Sequence, residues 1–310
     1  MKHIENIDIL FVNVILTTRC SAQCDYCAYW RTSPTDIDLS VFQSLVYHAS
    51  KKKIKAFFLT GGEPLAHPQF GELLKILRDY SMRVILCTNG WKLDKLTYDD
   101  LSGIRALAVS LDTWDASNYV AIRGRPMHEH IVQHIKCVRE LSPKLPITIT
   151  CLIQPKNILY LKNLHEFGKS IGASALSLLV PSYEEFGFGW ESCGTGPKVD
   201  ILSYDEIKML EDSFNYLEKL EAWEERFLNQ TSEVLAEYVQ YFRMWAKLPF
   251  RLPKRICFSP HSTITVTERG TLIPCFYLPH EFTWNHNDSP FDSEDIYNFR
   301  CNFNFKREFK

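Results

Sequence analysis

The chain has 310 residues and a formal net charge of −2, long enough to bury a large core and too evenly charged to grip nucleic acid through a general basic surface. Hydrophobic residues at 45% and charged residues at 23% are ordinary for a water-exposed globular fold. The opening residues, with Glu5, Asp8 and no long apolar stretch behind them, predict neither a secretory signal nor a membrane span, hence a cytoplasmic protein with no membrane partner.

In chain order, short apolar runs lie at 9–16, 56–59, 83–87, 106–111, 147–153 and 175–180, the length and make-up of buried parallel strands. Helix-period segments fall between them, near 38–50, 67–80, 95–102, 128–141 and 157–171. In the fourth of these, Ile131, Ile135 and Val138 share one face. Strands with helical crossovers read as repeated βα units, so the fold class is α/β, a parallel sheet or open barrel. After Pro181 the segment 183–197 is rich in glycine and aromatic residues and reads as a loop on the substrate rim. Ile207, Leu210, Phe214, Leu217, Leu220, Trp223 and Phe227 then mark one long helix, and 234–245 a second. A β-type tail follows, in which 263–267 and 271–274 around Arg269-Gly270 predict a hairpin. The expected division is a barrel over 1–200, a helical connector over 201–250 and a small C-terminal subdomain over 251–310.

Ten cysteines without an export signal point to metal before disulfides. Three of them stand in Thr17-Thr18-Arg19-Cys20-Ser21-Ala22-Gln23-Cys24-Asp25-Tyr26-Cys27, with C-x3-C-x2-C spacing, directly after the first strand. Soft thiolates in a tight loop suit zinc or an iron–sulfur cluster. A structural zinc site usually takes four protein ligands, and no matching half lies nearby. Three ligands leave one iron of a [4Fe–4S] cluster open. A second motif, Leu59-Thr60-Gly61-Gly62-Glu63-Pro64, follows the second strand, where glycines let backbone approach a ligand.

Together these motifs resemble the radical S-adenosylmethionine (SAM) superfamily. The resemblance implies a partial (β/α)6 TIM-type barrel, with Cys20, Cys24 and Cys27 holding the cluster and SAM chelating its open iron. By the same resemblance Tyr26 lies near the adenine, and Gly61, Gly62 and Glu63 receive the SAM amino group. Ser110 and Asp112, at the end of the fourth strand, and Arg123 before Gly124 fit relatives in which serine and arginine contact the SAM carboxylate or ribose. Arginine suits a carboxylate through its planar fork. Asn89, after the third strand, is placed on the same face. The tail, Cys257-x12-Gly270-x4-Cys275 with Cys301 beyond, resembles the opening of SPASM and twitch extensions and implies a second, auxiliary [4Fe–4S] cluster. Cys193 is a candidate fourth ligand to that cluster or a hydrogen donor to a substrate radical. Cys87, Cys137 and Cys151 read as small core residues, and His130 and His134 as surface residues.

The implied activity is reductive cleavage of SAM to a 5′-deoxyadenosyl radical that abstracts a substrate hydrogen, driven by a one-electron reductant such as flavodoxin or ferredoxin. A twitch-type oxidoreductase on a small polar substrate is the favoured reading. The alternatives are a peptide-modifying enzyme that crosslinks or epimerises, and a molybdenum-cofactor cyclase, which the chain's ending in Arg307-Glu308-Phe309-Lys310 in place of Gly-Gly disfavours. From another class comes a non-catalytic iron–sulfur electron-transfer protein or a structural zinc protein.

Overall fold

Strands β1 (Phe11–Ile15), β2 (Ala56–Thr60), β3 (Arg83–Thr88), β4 (Ile104–Ser110), β5 (Ile147–Leu152) and β6 (Ala175–Leu179) lie side by side in parallel and in chain order in this computed structural model. The structure describes residues 9–183, 190, 199–223, 226–251, 262–275 and 280–302. Helices α1 (Leu39–Lys51), α2 (Phe70–Asp79), α3 (Tyr98–Ser102), α4 (Ala116–Arg123), α5 (His128–Leu141) and α6 (Leu161–Ser170) carry the crossovers. This is the predicted partial barrel.

Each strand has two unlike faces, because successive side chains point to opposite sides. On the outer face Phe57, Leu59, Val84, Leu86, Leu107 and Val109 are buried against Phe42, Leu45, Leu73 and Leu77 of the helices. The inner face borders the hollow of the barrel, so its residues are smaller and mostly half-buried. Register aligns Cys87, Ala108, Thr148 and Ala175 in one inner row, and Ser110, Thr150 and Ser177 in the row above. Cys151 is buried, as expected. Cys87 faces the hollow and Cys137 is a half-buried residue beside Gln133, so neither is a core residue.

Helix α4 has no counterpart among the predicted elements, since its apolar stripe is short. Its ends are nonetheless marked in sequence. Asp115 caps the first turn by accepting from the Asn118 amide at 2.7 Å, and Gly124 stops the helix at φ 70°.

Beyond the barrel, α7 (Tyr204–Trp223) and α8 (Ser232–Trp245) pack together, with Ile207, Leu210, Phe214 and Leu217 buried as the predicted stripe requires. The stripe does not run on to Phe227 in one helix. Helix α7 ends at Trp223, and Leu228 instead bridges Leu176 along the outer edge of β6. The predicted hairpin is β7 (Thr263–Val266) with β8 (Leu272–Ile273). It joins the barrel sheet, β7 running parallel to β1, so the sheet has eight strands in the order β6-β5-β4-β3-β2-β1-β7-β8. An unpaired β1 edge would leave its amides and carbonyls without partners. Asn13, a polar residue within β1, donates to Thr265 Oγ1 at 3.2 Å across that seam. Helix α9 (Glu294–Asn302) completes the described chain, and among the described residues no helix is long and apolar enough to cross a membrane.

Candidate active site

The cysteine loop leaves β1 at the C-terminal end of the strands, the end where parallel sheets present ligands. Its start is pinned from both sides. Thr17 Oγ1 donates to Asp36 Oδ1 at 2.6 Å, and the Arg19 guanidinium meets the same carboxylate at 3.0 Å. The Gly62 amide donates to Thr17 O and the Glu63 amide to Arg19 O, both at 2.7 Å. The two glycines therefore receive the backbone of the cysteine loop. A Cβ on Gly61, whose φ is 140°, would lie 2.5 Å from Thr17 O, and one on Gly62 would lie 2.5 Å from Arg19 O. Neither backbone oxygen can step aside. Gly62→Ala is expected to cost about 1–3 kcal/mol by overpacking, and to cut iron uptake by shifting Cys20. Urea melts with iron analysis check this; an unchanged midpoint and full iron would contradict the seating.

Two of the three thiols have polar side-chain donors behind them. Asn89 Nδ2 stands 3.7 Å from Cys20 Sγ, and Arg123 Nη1 stands 3.9 Å from Cys24 Sγ. Burial pushes the Cys20 thiol up to about 11, with the Glu63 carboxylate adding to the shift, and burial likewise raises Cys24 and Cys27. Metal binding must expel these protons, and the amide and guanidinium then face the thiolates. Among the described residues no three metal-binding side chains converge as ligands of a single ion do. The fit to an iron–sulfur cluster rests on the donor chemistry: three thiols, soft ligands, on one short loop.

The supporting residues form two buried clusters. Glu63 is fully buried; its carboxylate accepts from Thr88 Oγ1 and the Asn89 amide, each at 2.7 Å, and from the Leu65 amide at 3.1 Å. It thereby fixes the β3 tip that carries Asn89. Asp112 Oδ2 accepts from Arg123 Nε at 2.7 Å and from the Tyr26 hydroxyl at 3.2 Å, while Oδ1 accepts from the Leu152 amide at 2.8 Å. Arg123 is thus turned inward against Asp112, with its guanidinium carbon 5.8 Å from the centre of the Tyr26 ring. Its carbonyl also accepts from the Gln23 amide at 2.9 Å, so α4 grips the cysteine loop. Ser110 lines the hollow and accepts from Thr150 Oγ1 at 3.3 Å.

Trp190, expected on the substrate rim, is buried; its indole donates to the Tyr26 carbonyl at 3.2 Å. His134 is not a surface residue: its ring meets Gly90 O at 3.1 Å beneath the β3 loop, whereas His130 is exposed and sits edge-on to Trp91. Asp36 was not singled out in sequence, and a lone acid before a helix carries no signal of its role. Cys275 is half-buried after β8. Cys193 and Cys257 lie outside the described residues, as does the side chain of Cys301.

Comparison with known proteins agrees with this geometry. The family model described as the radical SAM superfamily matches residues 14–167. The AdoMet-dependent heme synthase of Methanosarcina barkeri is 24% identical over 89% of this chain and 79% of its own length. A GTP 3′,8-cyclase of Chlorobaculum tepidum is 30% identical, over 46% of this chain and 44% of its own length. Among solved structures, Streptococcus suis SuiB bound to S-adenosylmethionine superposes with a TM-score of 0.72 at 17% identity, covering 95% of this chain and 68% of that one. The partial barrel, its three-cysteine loop and the glycine pair that seats it place this chain in the radical SAM superfamily.

Proposed function

We propose that the chain is a radical SAM oxidoreductase of the twitch type acting on a small polar substrate held in the hollow of the barrel. The observation that carries this reading is the inner face of β4, β5 and β6, where Ser110, Thr150 and Ser177 form a row of hydroxyls. When bound, the cluster supplies the electron that splits SAM into methionine and a 5′-deoxyadenosyl radical, which takes hydrogen from the substrate. The chain's own part is positional. Cys20, Cys24 and Cys27 hold the cluster, the backbone of Gly61 and Gly62 and the Asn89 tip shape the SAM side, and the hydroxyl row orients substrate. Cys257, Cys275 and Cys301 would hold an auxiliary cluster, which would offer a one-electron acceptor, and a flavodoxin or ferredoxin would supply the first electron.

A second reading, peptide modification, is favoured by the SuiB complex with its precursor peptide SuiA, which superposes at a TM-score of 0.72 over 96% of this chain. One experiment separates the two. Reduced protein and SAM are incubated with the small-molecule and the peptide fractions of a cell extract, and 5′-deoxyadenosine and mass changes are followed. Product in the small-molecule fraction, lighter by two hydrogens, is expected. Turnover confined to the peptide fraction would overturn the small-substrate reading.

A further inference from the structure

Tyr119 is fully buried, yet its hydroxyl has no hydrogen-bond partner among the described residues. A buried polar group left unpaired costs stability, so its presence calls for an explanation. No other tyrosine of the described chain has a buried, orphaned hydroxyl; Tyr26, for one, spends its own on Asp112 Oδ2. Tyr119 stands on α4 one turn before Arg123, on the same buried face. The end of that helix lies directly against the cysteine loop. The Gln23 amide donates to Arg123 O at 2.9 Å, and a Cβ on Gly124 would lie 2.7 Å from Gln23 O. The charged and thiol groups whose fields reach the Tyr119 hydroxyl are Arg123, Cys24, Asp112 and Cys20. Of these, a guanidinium cannot accept a hydrogen bond, and both Asp112 oxygens are already taken by Arg123, Tyr26 and the Leu152 amide. What remains for the phenol to serve is sulfur. Burial holds its proton on, raising it above the ordinary phenol range.

We infer that the Tyr119 hydroxyl is a hydrogen-bond donor to the iron–sulfur cluster, meeting sulfur on the Cys24 side once metal is bound. The inference rests on assigning that cluster to Cys20, Cys24 and Cys27, and adds a residue that sets its reduction potential. A donor facing cluster sulfur stabilises the extra negative charge of the reduced state, and so raises the potential. The same donor has nothing to bond in the metal-free chain. Its hydroxyl therefore costs stability before metal enters and returns it afterwards.

The test is Tyr119→Phe in the full chain, which removes the oxygen and keeps the ring. In the metal-free protein the urea midpoint is expected to stay level or rise, because an orphaned hydroxyl is lost. In the anaerobically reconstituted protein the reduction equilibrium should shift about tenfold toward the oxidised form, which puts the potential about 59 mV more negative. A redox titration followed by electron paramagnetic resonance reads this, using the signal that changes on adding SAM. An unchanged potential with full iron would overturn the contact. It would leave the hydroxyl to a water shared with His128 Nε2, the other orphaned atom beside the Tyr119 ring. A fall in the metal-free midpoint would overturn it too, by showing that the hydroxyl already serves the protein. A wild-type protein that takes up no iron on Cys20, Cys24 and Cys27 would overturn the cluster assignment instead.

Discussion

With Cys20, Cys24 and Cys27 all replaced by alanine, the dithionite-reduced protein is expected to form no 5′-deoxyadenosine from SAM, while remaining folded. The chemical half of this expectation follows from the donor set. The three thiols are the soft ligands of the loop, and no other thiol of the described chain lies on it. Without them the rate should fall to the uncatalysed level, a drop of at least about 10⁶-fold. The structural half follows from what holds the loop in place. Its path is set by the Gly62 and Glu63 amides on Thr17 O and Arg19 O, by Thr17 and Arg19 on Asp36, and by the Gln23 amide on Arg123 O. None of those contacts involves a thiol. Far-ultraviolet dichroism and a urea melt should therefore match metal-free wild type, and iron bound at the loop should be absent. Continued 5′-deoxyadenosine formation in the triple variant would refute the assignment.

What could be read from sequence was what is local. The cysteine spacing and the strand–helix alternation are patterns within a few residues, and each survives in the folded chain with boundaries shifted by a residue or a few. The long-range partners were not legible. Gly61 and Gly62 announce that something approaches closely, but sequence does not say what; in the fold it is Thr17 and Arg19, more than forty positions away. The family resemblance assigns Glu63 to the SAM amino group, but sequence does not say what holds its carboxylate. In the fold Thr88 and the Asn89 amide, brought in by β2–β3 pairing, each donate to one of its oxygens. Docking of β7 on β1 was likewise hidden. Only Asn13, a polar residue in an apolar run, hinted at it, and a lone strand amide does not name the hydroxyl it will meet some 250 positions later. Helix α4 escaped because periodicity needs length, and eight residues give about two turns.

The Asp112–Arg123 pair gives the second large effect, this time on stability. Arg123→Ala is expected to lower the unfolding free energy by about 3–5 kcal/mol, the range for breaking a buried ion pair from one side. Both side chains are nearly sealed, with 7% of the arginine and none of the aspartate exposed. Removing the guanidinium leaves a buried carboxylate with only the Tyr26 hydroxyl and the Leu152 amide as donors. That uncompensated charge is the source of the cost, more than the lost attraction itself. The double replacement Asp112→Leu with Arg123→Met should therefore cost clearly less than the sum of the two single changes, since it removes both charges together. Chemical unfolding of the metal-free protein isolates this effect from cluster binding. The sequence resemblance casts the same arginine as a contact for the SAM carboxylate, and the inward pairing confines such a contact to its Nη groups. The two roles separate cleanly by measurement. A stability change under about 1 kcal/mol would put Arg123 in the class of exposed pairs and refute the buried-pair account. A SAM dissociation constant weakened ten- to a hundredfold in the same variant would then return the carboxylate contact as its main role.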